Sequence, residues 1–162
     1  MPFLGRLHVN LDPSAFIADP ELLQALDSRS EPFLCGQKRV LFRQGDVPNG
    51  LYILKSGSAA LSMTTTASTE ILALDAGPGS LLGLPGLIGN EPYTLTAIAQ
   101  AGSEVSFLTR ENFTALMRTD PMLALKILQV LAAEVRSARS AILEQSGVPR
   151  RGGRRLTHAR PN

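Results

Sequence analysis

From Pro32 to Leu108 the apolar residues come in short runs broken by Gly, Pro, Asn and Asp. Val40 and Phe42 lead into Gln44-Gly45-Asp46, which reads as a strand and its exit turn. Leu51 to Leu54 is a nearly continuous apolar strand, and Ser56-Gly57 is a hairpin signal. Ala59 and Leu61 then alternate with Ala60 and Ser62, and Ile71, Ala73 and Asp75 with Leu72 and Leu74. Between these strands Thr64 to Thr69 is polar and predicts an exposed hairpin loop. Leu95, Ala97 and Ala99 alternate with Thr94, Thr96 and Ile98, and Val105, Phe107 and Thr109 follow the turn at Gly102. Short strands at regular intervals predict a sandwich or barrel-like roll. Aromatic residues make up only 5% of the chain, so its core is built mostly from Leu, Ile, Val and Ala.

Three segments change period. Asp19-Pro20 is a helix opening: Asp caps free N–H groups, and Pro at the first position gives up an N–H that had no partner. Leu22, Leu23 and Leu26 put an apolar stripe on that helix, which is expected to end near Ser28. Thr109 is expected to cap a second helix over Arg110 to Arg118. Asp120-Pro121 repeats the opening and starts the longest periodic segment, with Ile127, Leu131, Val135, Ala138 and Ile142 at spacings of 4, 4, 3 and 4. Gly147 and Pro149 are expected to stop it, and residues 146–162 read as an Arg/Gly-rich disordered tail.

A chain of 162 residues is one domain by length, with a core large enough to stand alone. The sequence pI near 9.0 comes from the tail, which holds five arginines and no acid. Removing those five from the 16 Lys and Arg leaves 11 against 14 acidic residues, so residues 1–145 carry a net charge of −3. That body does not read as a nucleic-acid surface. No run approaches the about 18 apolar residues of a membrane span, and the N-terminus lacks a signal-peptide pattern. The single cysteine, Cys35, excludes an intramolecular disulfide, and a cytoplasmic setting follows.

The stretch from Gly79 to Ala99, Gly-Ser-Leu-Leu-Gly-Leu-Pro-Gly-Leu-Ile-Gly-Asn-Glu-Pro-Tyr-Thr-Leu-Thr-Ala-Ile-Ala, resembles the phosphate-binding cassette of cyclic-nucleotide-binding domains. Leu41 to Asp46, Gly50 to Leu61 and Glu104 to Phe113 resemble the family's other strands, in the family's order. Asp120 to Glu144 resembles the C-helix of Crp/Fnr regulators, so the resemblance runs from about Leu41 to Glu144. It implies a mainly β fold with flanking helices: a double-stranded β-helix, or jelly-roll/cupin-like β-roll, over about 32–109, and a dimerisation C-helix over about 120–145. Together these make residues 1–145 one cyclic-nucleotide-binding-like domain.

The chain departs from the family at two positions. Gly83 matches the cassette glycine, but Leu84 stands where the ribose-binding Glu belongs and Tyr93 where the phosphate-binding Arg belongs. A buried cyclic phosphate without a charged partner loses several kcal/mol, a factor of about 10³ in affinity. Thr94 keeps the family's hydroxyl, and Arg139 on the C-helix is the best candidate to compensate. The ligand-binding candidates are therefore Gly83, Leu84, Tyr93, Thr94 and Arg139, with pocket filling as the plainer role of Leu84, Leu87 and Tyr93.

The resulting expectation is a stand-alone Crp/Fnr-type effector module, not an enzyme, with a degenerate cassette and no usual binding of cyclic AMP or cyclic GMP. The alternative is a sensor that still binds a cyclic nucleotide or another small ligand in the roll and signals through its C-helix. The module is expected to pair as a homodimer through Ile127, Leu131, Val135, Ala138 and Ile142, with a partner protein left open. Only 17 residues follow Gln145, too few for a winged-helix domain of about 50, so sequence-specific DNA binding is not expected. No catalytic motif is visible. His8, His158 and Cys35 are scattered and predict no metal site, haem or iron–sulfur cluster.

Overall fold

The structure, a computed structural model, describes residues 8–145. Eight strands form two antiparallel sheets: β1 (Glu31–Leu34), β8 (Glu104–Thr109), β3 (Gly50–Ser56) and β6 (Leu81–Leu82) in one, and β2 (Arg39–Phe42), β7 (Thr96–Ala99), β4 (Ala59–Thr64) and β5 (Glu70–Ala76) in the other, in those orders. The roll expected from the alternating pattern is present. The helices are α1 (Pro20–Asp27), α2 (Leu84–Gly89), α3 (Arg110–Thr119) and α4 (Pro121–Gln145).

The caps formed as their sequences predict. Asp19 accepts the Leu22 N–H at 2.8 Å, Thr109 accepts from Asn112 at 3.2 Å, and Asp120 accepts from Met122 at 3.1 Å. Two elements were not foreseen. A 3-10 turn over Pro13–Phe16 is capped by Asp12. Strand β1 pairs with β8 at the sheet edge and keeps most of its residues exposed, so it gave no alternation to read. Its Pro32 suits an edge, where a missing N–H breaks no ladder.

The sheet around β3 and β8 is buried on both faces. Tyr52, Leu54, Leu82 and Val105 pack inward with Phe42, Leu61, Ala97 and Ala99 of the other sheet. Leu51, Ile53, Leu81 and Leu108 pack outward with Leu22 and Leu26 of α1, Phe113 and Leu116 of α3, and Leu123, Ile127 and Val130 of α4. A strand covered on both sides carries apolar residues at consecutive positions, which explains the run from Leu51 to Leu54.

Helix α4 spans 25 residues, about 37 Å. The sequence pattern puts Ile127 on a free dimer-forming face. The structure instead buries Ile127 in the domain's own core, with Leu123, Val130 and Ala141 on the same side. Nor does the far end project freely. Val9 bridges Leu72 of β5, the Asp12 N–H donates to Ser137 Oγ at 2.8 Å, and the Gln145 side chain donates to the His8 carbonyl. The segment before α1 thus ties the end of the helix to the roll. The expected helix stop at Gly147 and Pro149, and the tail over 146–162, lie outside the described residues.

Leu84 illustrates the outer layer. It is fully buried, in the cluster that holds Leu22, Leu51 and Leu108. Leu84→Glu places a carboxyl group there with no cation among the cluster residues, and is expected to lower stability by several kcal/mol. Leu84→Met should cost under about 1.5 kcal/mol. Chemical denaturation of the two variants measures the difference.

Candidate ligand cavity

A cavity of about 350 Å³ lies between the roll and α4. The roll contributes Phe42, Leu61, Met63, Leu72, Leu82 and Tyr93, and the helix contributes Glu134, Val135, Ala138 and Ile142. The cassette supplies Gly83, Pro85 and Gly86, and Val9, Leu11 and Phe16 close the side below the helix. No Lys, Arg or His lies among the described lining residues.

The cassette geometry rests on a left-handed Gly83, with φ +92°, as N-cap of the six-residue α2. A Cβ at this position would stand 2.8 Å from the Tyr93 ring, so glycine is required both by its dihedral and by the close approach of the ring. The other end of α2 is held by Arg110, which donates to the Asn90 side chain at 2.8 Å and to the Pro48 carbonyl at 2.6 Å.

Tyr93 is nearly fully buried. Its ring stacks on Phe42 with centroids 4.1 Å apart, and its hydroxyl donates to the Gly50 carbonyl at 2.8 Å. Burial pushes the phenol pKa up, so it stays a neutral group whose donor is already committed to the backbone. Tyr93 gives the cavity an aromatic wall in place of a cation. Thr94 is exposed at the rim.

Two sequence candidates stand elsewhere. Leu84 neither touches the cavity nor fills it, because α2 turns its side chain into the outer layer with Leu87. Arg139 is exposed and outside the cavity lining. Of the predicted helix face, Val135, Ala138 and Ile142 line the cavity, Leu131 packs beside the outer cluster, and Ile127 lies within it.

The residue that sequence reading missed is Glu134. Its sequence context, beside Arg136 and Arg139, reads as an exposed charged face. The structure turns it to the cavity, with Oε1 shut off from solvent and without a hydrogen-bond partner among the described residues. Desolvation raises its pKa from the ordinary 4.5 to about 8. The available signal was its place one turn after Val130, on the buried side of α4. No group of three His, Cys, Asp or Glu able to hold a metal occurs among the described residues. Cys35 is buried.

Two antiparallel sheets closed by a long C-terminal helix, with a glycine-led cassette against the cavity, define a regulatory domain of the cyclic-nucleotide-binding class. The family "Cyclic nucleotide-binding domain" matches residues 35–120, and the chain belongs to it. The cyclic AMP receptor protein of Thermus thermophilus is 31% identical over 119 residues, which are 74% of this chain and 55% of that protein. The transcriptional activator protein anr of Pseudomonas aeruginosa is 26% identical, over 80% of this chain and 52% of its own. The crystal structure of the Thermus thermophilus catabolite activator protein superposes with a TM-score of 0.69 at 29% identity, covering 83% of this chain and 63% of that one. These relatives, a cyclic AMP receptor and a transcriptional activator, place the chain among the Crp/Fnr regulators. The chain spans about half the length of the curated relatives it matches. No described helix is long and apolar enough to cross a membrane.

Glu134 generates a pH dependence. The unfolded chain releases this proton near 4.5 and the folded chain near 8. Between those values the folded state holds the extra proton, so Glu134's own contribution to stability is complete below about 4.5 and is lost as pH rises through 8, on the order of a few kcal/mol. Glu134→Gln removes that slope. Melting both proteins from pH 4 to 9 should show the gap widening in favour of Glu134→Gln up to about pH 8 and flat above it.

Proposed function

We propose that this domain is a Crp/Fnr-type effector module whose cavity has exchanged anion recognition for an apolar ligand. The carrying observation is the lining: an aromatic and aliphatic wall with one carboxyl group and no cation among the described residues. A cyclic nucleotide brings a phosphate charge that needs an opposing charge or several donors. Here the cassette position that resembles the family's Arg is Tyr93, whose hydroxyl is bound to Gly50, and the nearest ionisable group on the helix is an acid. The cavity falls within the ordinary size range of small-molecule sites. A ligand there touches Val135, Ala138 and Ile142 directly, so its binding is coupled to the position of α4.

The helix also supports pairing with a second copy. Leu125, Leu128, Val135 and Ile142 are exposed, at 48%, 57%, 48% and 59%. With exposed Ala132 and Arg139 they fall at alternating spacings of 3 and 4, the seam of a two-stranded coiled coil. This seam is rotated from the face read in the sequence, because Ile127 and Val130 are used by the domain itself. Like seams on two copies are self-complementary about a two-fold axis, and an exposed stripe of this length favours cover. The module then reports ligand binding through a paired C-helix to whatever follows or contacts it.

Calorimetry with cyclic AMP and cyclic GMP should give dissociation constants weaker than about 1 mM, which corresponds to about 4 kcal/mol. A micromolar value for either overturns the reading. Light scattering at tens of micromolar should give a dimeric mass. Leu128→Glu, which lies outside the cavity, should split the dimer by placing two like charges across the axis. A monomeric wild type refutes the pairing.

A further inference from the structure

The unpartnered carboxyl group in an otherwise apolar cavity specifies more than a hydrophobic ligand. A buried carboxyl oxygen without a partner is costly, and native structures rarely keep one without a reason. Glu134 Oε1 is such an atom among the described residues. The surrounding side chains offer it nothing: Phe42, Leu61, Leu82, Val135 and Ala138 are apolar, and the Tyr93 hydroxyl is taken by Gly50. Thr94 lies exposed at the rim, which leaves the apolar interior with a single acidic group.

We propose that the cavity binds an apolar amine, held by an ion pair between its ammonium group and the Glu134 carboxylate, with its hydrocarbon body against Phe42, Leu61 and the Tyr93 ring. The proposal deepens the apolar-ligand reading and rests on it. The acid discriminates among apolar ligands by charge. A fatty carboxylate brings a negative charge into a lining that holds no cation among the described residues. A neutral alcohol hydrogen-bonds to the protonated acid but gains no ion pair. An ammonium group supplies three donors and the opposite charge.

With its pKa raised to about 8, free Glu134 is mostly protonated at pH 7, whereas an alkylamine with a pKa near 10 is already an ammonium ion. Pairing stabilises the carboxylate, so the carboxylic acid gives up its proton to solvent and about one proton is released per amine bound. An alcohol that binds to the protonated acid releases none.

The test is calorimetry at pH 7 with octylamine, octanol and octanoate, each in two buffers of different ionisation enthalpy, on the wild type and Glu134→Gln. Octylamine is expected to bind the wild type at least tenfold more tightly than octanol or octanoate, with release of about one proton. Glu134→Gln should abolish both the preference and the release. If octanol binds the wild type as tightly as octylamine, the amine assignment fails and the apolar-ligand reading survives. If none of the three binds, both fail. Retention of the amine preference in Glu134→Gln overturns the role of Glu134.

Discussion

The sheet built around β3 and β8 is packed on both faces, and the rest of the domain depends on that double burial. One face, through Tyr52, Leu54, Leu82 and Val105, closes the interior of the roll. The other, through Leu51, Ile53, Leu81 and Leu108, anchors α1, α2, α3 and the first half of α4. Each buried aliphatic side chain contributes on the order of 1.5–3 kcal/mol. The consecutive positions of β3 therefore hold two layers with one strand. Because the start of α4 is committed to the outer layer, its later turns are carried over the open side of the roll, where they roof the cavity.

That arrangement divides the cassette. Gly83 and Tyr93 belong to the cavity, while Leu84 and Leu87 belong to the helical layer. A short helix has room for only one such division, and a left-handed glycine at its start sets which side chains go where. Leucine at position 84 suits the outer layer because it adds apolar area beside Leu51 and Leu108. The same step puts Tyr93 against Phe42 and spends its hydroxyl on the Gly50 carbonyl, which leaves the roll side of the cavity without a charged group.

The long helix serves three surfaces at once. Leu123, Ile127, Val130 and Ala141 face the parent domain, Glu134, Val135, Ala138 and Ile142 face the cavity, and Leu125, Leu128 and Val135 leave an apolar seam in solvent. Val135 and Ile142 border both the cavity and the seam. A ligand that moves these two residues changes the surface offered to a second copy, which is the physical route from cavity to pairing in the proposed module.

Local pattern determined much of this. The Asp-Pro openings at residues 19 and 120, the Thr109 cap, the alternation in β4, β5 and β7, and the cassette glycine were all readable, because caps, turns and two-residue periods are properties of neighbouring residues. The family resemblance followed from the same local order. Three matters were decided only in the folded chain. Which helical face is free depends on what α1 and α3 cover, so Ile127 went to the core and Leu125 and Leu128 were left exposed. Edge strand β1 had no buried face to announce it. Glu134 looked like a solvated charge among arginines, and its apolar surroundings come from the roll and from Val9, Leu11 and Phe16, all distant in sequence. The charge state of a carboxyl group is set by what surrounds it in space, and sequence neighbours do not carry that information.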